Sequence, residues 1–145
     1  MSTPRSTAPR GSAAPVLRDA LIVASGGSLG TPARYAIDAL LGSPAGFPVA
    51  TLAVNLTGAF LLGVLVQRLA MSSHLGRTRR RLHLLLGAGL LGGYTTYSLL
   101  ATDIAQFLVA QRYAEAIGYG GATLLLGLGA SWAGLRVADP RAGRR

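Results

Sequence analysis

The chain has 145 residues, half of them hydrophobic, with 20 glycines, a charged fraction of only 13% and a formal net charge of +9. Such a composition marks a small membrane protein and argues against a soluble domain. With no cysteine and only two histidines, His74 and His83, it excludes disulfides, thiolate metal sites and cysteine nucleophiles, and no metal-ligand spacing is present.

All 14 basic residues are arginines. They flank apolar runs rather than interleaving with aromatics, and no nucleic-acid motif accompanies them, so nucleic acid is not the expected partner. They read instead as topology signals and contacts for membrane lipid headgroups.

Residues 1–16 are rich in Ser, Thr, Ala, Pro and Arg and are expected to form a disordered tail. Four spans follow within residues 17–138, so the expected fold class is an all-α membrane protein. The first runs from about Leu17 to Leu41 and carries Gly26-Gly-Ser-Leu-Gly30, Pro32, Arg34 and Asp38. Arg34 and Asp38 are i,i+4 neighbours able to pair on one face. Arg34 is a functional candidate as a charge in the membrane, or a snorkelling anchor at its edge.

After the uncharged loop 42–46, the second span runs from Phe47 to about Leu69. Its strongly polar residue is Asn55, which in hydrocarbon either staples two helices or faces a polar pathway. Ala59 and Gly63 offer a small-residue packing face. The loop 70–81 holds His74, Arg77, Arg79, Arg80 and Arg81.

The third span, Leu82 to Val109, has no charge from Leu84 to Thr102, yet its centre reads Gly92-Gly-Tyr-Thr-Thr-Tyr-Ser98. A lipid-facing helix has no need of these residues. Backbone that departs from helix at membrane depth survives only where protein or water satisfies it, and the half-helix ends so made suit ions. One reading of residues 92–98 is thus a broken-helix ion site. The other is a packing face, since Gly89 and Gly93 are spaced as GxxxG. A fourth span, Ala116 to Val137, places Tyr119 and Thr123 on one face. Residues 139–145 form a polar tail.

Arginine counting orients the chain. Three arginines precede span one, five lie between spans two and three, and four follow span four, so 12 of 14 share one side. The positive-inside rule puts both termini and the 70–81 loop in the cytoplasm, the chain being multi-pass in the cell membrane.

Three stretches then carry a family likeness. Gly26-Gly-Ser-Leu-Gly-Thr-Pro-Ala-Arg-Tyr35 resembles the GGxxGxxxRY signature of the Fluc (CrcB) fluoride-channel family. Thr51-Leu-Ala-Val-Asn-Leu-Thr-Gly-Ala-Phe-Leu-Leu-Gly63 is similar to its TLxVNxxGxFxxG signature, and Gly92 to Ser98 to its GGxTTFS signature. The resemblance implies a passive fluoride channel and no enzyme: an antiparallel dimer of four-helix subunits with two narrow pores. It also implies a structural sodium ion, Na+, held by backbone carbonyls of the broken third helix, here those of Gly92 and Thr95.

By the same resemblance the pore-lining asparagine is Asn55, the arginine is Arg34, the polar track on span four is Tyr119 and Thr123, and the first aromatic of a phenylalanine pair is Tyr97. Fluoride holds its water tightly, so a pore must replace that hydration with donors. The Asn55 amide and the hydroxyls of Thr96, Ser98, Thr123 and Tyr119 can serve, and aromatic ring edges carry the positive part of the quadrupole. Arg34 can raise the local anion concentration.

Two departures shape the expectation. The second aromatic position is Leu100, which has no positive edge. The 12-to-2 arginine bias fixes one orientation, whereas an antiparallel homodimer needs both. The expected partner is therefore a paralogous subunit of opposite bias. A non-conducting structural or regulatory subunit is the alternative reading. A small multidrug-type exporter fits poorly, because no carboxylate lies mid-span in the first helix.

Overall fold

The computed structural model describes residues 13–72 and 75–140. The expected tail up to residue 12, His74 and residues 141–145 lie outside them. Among the described residues the chain is entirely helical, without strands. Helix α1 spans Ala13–Leu41, a short 3-10 turn spans Pro44–Gly46, and α2 spans Val49–Met71. Next come α3 (Gly76–Leu82), a π-helical stretch (His83–Leu91) and the short α4 (Gly92–Tyr94). Helices α5 (Tyr97–Val109) and α6 (Tyr113–Ala138) complete the bundle.

Helix α1 begins four residues before the expected Leu17 boundary. Ala13 and Ala14 are strong helix formers, and Pro15 sits in the first turn, where its missing N–H costs nothing. Its end is sharp. Gly42 takes a left-handed φ of 59° and its N–H closes on the Asp38 carbonyl at 2.9 Å, the usual glycine stop.

Three helical stretches are long and apolar enough to cross a membrane: Val49–Met71, Gly76–Val109 and Tyr113–Ala138. Helix α1 has the length, with 29 residues, but Arg18, Asp19, Arg34 and Asp38 dilute it. Large apolar side chains face outward all round the bundle, including Leu21, Leu29, Leu124, Leu125 and Leu128, as a lipid environment allows.

The helices pair in two parallel couples, α1 with the π-helical stretch and α4, and α2 with α6. Glycine explains both. A Cβ on Gly26 would collide with the Leu85 carbonyl, one on Gly30 with that of Leu90, and one on Gly89 would lie 2.6 Å from the Val23 carbonyl. In the second couple a Cβ on Gly63 would collide with the Ser131 carbonyl, and one on Gly134 with that of Phe60. Only a residue without a side chain permits such backbone contact, which substitutes for the absent hydrophobic drive between helices in lipid. The packing reading of Gly89 and Gly93 and of Gly63 thus describes real contacts, and the signature glycines Gly26 and Gly30 belong to the same seam.

The π-helical turns over His83–Leu91 have no counterpart in the sequence reading. They lie along the glycine seam, where Gly87, Gly89 and Leu91 are buried.

Candidate functional site

The helical run ends at Tyr94 and restarts at Tyr97, with Thr95 (φ −78°, ψ 162°) and Thr96 (φ −148°, ψ 122°) extended between. What holds these two residues out of the helix is visible in their hydrogen bonds. Asn55, on α2, accepts the Thr96 N–H at its Oδ1 (2.8 Å) and donates its Nδ2 to the Thr96 carbonyl (2.9 Å). A side-chain amide is the one neutral group that both donates and accepts in this planar way. Of the two readings open for Asn55, stapling is what its bonds describe.

The consequence for the neighbouring carbonyls is direct. In a continuous helix the Thr96 N–H would serve the Gly92 carbonyl, and that of Tyr97 the Gly93 carbonyl. Instead Asn55 takes the first, and Arg34 Nε donates to the Gly93 carbonyl at 3.4 Å. Arg34 turns to this backbone rather than to Asp38. The i,i+4 pair expected on α1 is absent from the ion pairs of the described residues, because the severed helix end across the seam supplies a competing acceptor.

The restart is capped from within. Thr96 Oγ1 accepts the Leu99 N–H at 3.1 Å and lies 3.2 Å from Ser98 Oγ. Upstream, Thr95 Oγ1 and its N–H both reach the Leu91 carbonyl at 2.9 Å, finishing the preceding turn. Tyr94 braces this end from the side, its hydroxyl 2.9 Å from Thr57 Oγ1.

The remaining candidates fall into two environments. Asn55, Thr95, Thr96, Tyr97, Leu100 and Thr123 line an open groove of about 450 Å³ between α2, the interruption and α6. Within it Thr96 and Thr123 are buried, Leu100 is 7% exposed, and Tyr97 projects outward at 82%. Thr123 donates its hydroxyl to the Tyr119 carbonyl at 2.8 Å.

Tyr119 points elsewhere. Only 3% exposed, it is packed among Phe47, Phe107 and Ala116, with Phe47 meeting it edge-on at 5.5 Å between centroids. Its hydroxyl is 3.3 Å from both the Pro48 carbonyl and Asp103 Oδ2. Asp103 was not singled out as a site residue. Its place about two turns beyond the Thr-Thr pair is the available signal.

A multi-pass helical membrane protein with a polar, side-chain-pinned interruption in an apolar span is the class these features define. The chain belongs to the CrcB family: the family described as "CrcB-like protein, Camphor Resistance (CrcB)" matches residues 21–135.

Relatives agree. A protein of Caulobacter sp. (strain K31) named "Fluoride-specific ion channel FluC" is 38% identical over 120 residues, covering 81% of this chain and 92% of the relative. Leifsonia xyli subsp. xyli (strain CTCB07) has two numbered relatives. Its "Fluoride-specific ion channel FluC 2" is 39% identical, covering 83% of each chain. Its "Fluoride-specific ion channel FluC 1" is 39% identical, covering 79% of this chain and 82% of its own.

Proposed function

We propose that this chain is a subunit of a fluoride channel that lets cytoplasmic fluoride leave passively. The observation that carries the reading is the two-point bond between Asn55 and Thr96, which keeps two backbone residues out of the helix inside an apolar span. Such backbone is tolerated in lipid only where protein buries it or it lines a watered path, and the half-helix ends it creates suit ions. The relatives named as fluoride-specific channels supply the ion.

In this reading the groove lined by Asn55, Thr96 and Thr123, with Ser98 behind Thr96, is one wall of a pore, completed by a second subunit that meets Tyr97. Tyr119, tied to Asp103, anchors the polar track rather than ending it. All four long helical segments cross the membrane, α1 tolerating its charges at its two ends. The arginine-rich end, with both termini, faces the cytoplasm.

The resident cation of the reading is Na+. The fit rests on donor chemistry: the Gly92 carbonyl has lost its helical partner to Asn55, and Thr95 is extended beside it. Hard carbonyl oxygens suit a hard cation, and among the described residues no cluster of acidic or histidine side chains competes for one. Sodium would neutralise the two carbonyl ends where subunits meet.

The partner is a paralogous subunit inserted in the opposite sense. Support comes from the arginine bias and from the presence of two numbered relatives, FluC 1 and FluC 2, in Leifsonia xyli. A second reading, a non-conducting subunit, is favoured by Leu100, which lines the groove where an aromatic edge is expected. Fluoride efflux from liposomes separates these. The expected result is no efflux from the chain alone and fluoride-selective efflux with its genomic neighbour, abolished by Asn55→Asp. Efflux from the chain alone overturns the paired arrangement; none under either condition supports the non-conducting reading.

A further inference from the structure

The conduction reading leaves the arginine-rich end of the bundle unused, and that end is shaped for a ligand. Helix α3 is one short basic segment, Gly-Arg-Thr-Arg-Arg-Arg-Leu, with no buried residue. Between it and the start of α1 runs a groove of about 500 Å³, floored by Ile22, Leu82 and Leu85 and rimmed by Arg18, Arg81 and Thr78. Leu21 and Leu17, beside it on α1, are exposed.

Its charges are unbalanced. The one carboxylate at this rim, Asp19, is bonded to Arg80 and lies 3.5 Å from Arg18. Among the described residues Arg81 enters no ion pair. Three guanidinium groups thus share a single counter-charge beside an apolar floor.

We infer that this groove binds an anionic glycerophospholipid, its phosphate gripped by Arg81 and Arg18 and an acyl chain laid over Ile22, Leu82 and Leu85. The phosphate is argued from charge. A guanidinium fork matches phosphate oxygens bidentately, and arginine is favoured over lysine for that geometry. The chain of the lipid is argued from the floor: a soluble phosphate ester has no apolar part to cover Ile22, Leu82 and Leu85. A second groove on the other flank of α3, with Arg79, Arg80 and His83, is the weaker candidate because Arg80 is already committed to Asp19. The proposal rests on the membrane placement alone and does not depend on fluoride conduction. Bound there, the lipid would lock α1 to α3 at the end of the glycine seam.

The test is native mass spectrometry of the full chain, released from detergent in the presence of phosphatidylglycerol or phosphatidylcholine. Retained phosphatidylglycerol, and not phosphatidylcholine, is expected. The double variant Arg18→Gln/Arg81→Gln is expected to weaken retention roughly thirtyfold, the effect of removing two basic residues facing an anionic lipid surface. Arg81→Lys, which keeps the charge and loses the fork, falls between, and Arg112→Gln at the opposite end changes nothing. Equal retention of the two lipids, or unchanged retention in the double variant, overturns the proposal. So does equal displacement by soluble glycerol phosphate, which would mark a site for the free ester, or displacement by an oligonucleotide, which would mark a nucleic-acid surface.

Discussion

Two contacts in the bundle are of opposite design. Along α1 and the π-helical stretch, backbone rests on backbone at glycines. Across the interruption at Thr95 and Thr96 the contact is instead a short set of directional bonds from Asn55, Arg34 and the threonine hydroxyls. The first seam depends on the absence of atoms and the second on the presence of particular ones. A glycine seam therefore fails when anything is added, and the polar pin fails when one group is removed or exchanged.

The sharpest way to break the first seam is Gly30→Val. The new Cβ would fall on the Leu90 carbonyl, and neither backbone can yield without moving a whole helix. Overpacking of this kind costs about 3 kcal/mol or more. The expected outcome is loss of monodisperse protein on size exclusion. Gly129→Ala, where a Cβ meets open space, should leave the elution profile unchanged.

Asn55→Leu addresses the second seam. It strands the Thr96 N–H and carbonyl together, at about 1–3 kcal/mol for each buried unsatisfied group. We expect thermal unfolding at lower temperature and no fluoride flux in the paired reconstitution. Asn55→Asp separates the two bonds: the carboxylate still accepts the Thr96 N–H but opposes the Thr96 carbonyl. It should therefore retain more stability than Asn55→Leu while equally silent in flux. Equal melting temperatures for the two variants would mean that the pin is not what holds the interruption.

This contrast also explains what was legible in the sequence. Spacing marks part of the glycine packing: Gly89 and Gly93 stand as GxxxG in the third span, and Ala59 and Gly63 offer a small-residue face in the second. Gly26 and Gly30 entered through the family signature, and among the described residues hydropathy alone marks three of the four long segments. The polar pin was only half readable. Asn55 is conspicuous as an amide in hydrocarbon, but its choice of Thr96 depends on a contact 41 residues away that no local pattern encodes. Likewise, i,i+4 spacing pairs Arg34 with Asp38, and the severed helix end outbids that pairing. Tyr119 and Thr123 do share a face, yet the tyrosine ring is long enough to leave the groove and join Phe47 and Phe107. The π-helical turns lie along the seam, and the apolar run His83–Leu91 carries no local pattern that sets them apart from an ordinary helix.

Thr96→Val sharpens the comparison at a lower cost. The variant keeps the shape and the backbone bonds to Asn55 but loses the cap on the Leu99 N–H. Loss of an N-cap costs roughly 1 kcal/mol. A melting point a few degrees lower is expected, with the larger effect on fluoride flux if the hydroxyl also serves the ion.

The smallest effects on stability are expected at two tyrosines, three residues apart, one bonded and one, among the described residues, not. Tyr94 is bonded through its hydroxyl to Thr57, so Tyr94→Phe removes a hydrogen bond worth about 1 kcal/mol. Tyr97 is 82% exposed and no hydrogen bond of its hydroxyl is seen among the described residues, so Tyr97→Phe should shift stability by less than about 0.5 kcal/mol. Its flux is the informative measurement. If the ring edge is what meets the anion, phenylalanine carries the same positive edge and fluoride flux in the paired channel is preserved. If the hydroxyl is the donor, flux falls with stability unchanged. Tyr97→Leu, which copies the aliphatic character of Leu100, removes both, and fluoride flux is expected to be lost if Tyr97 faces the ion.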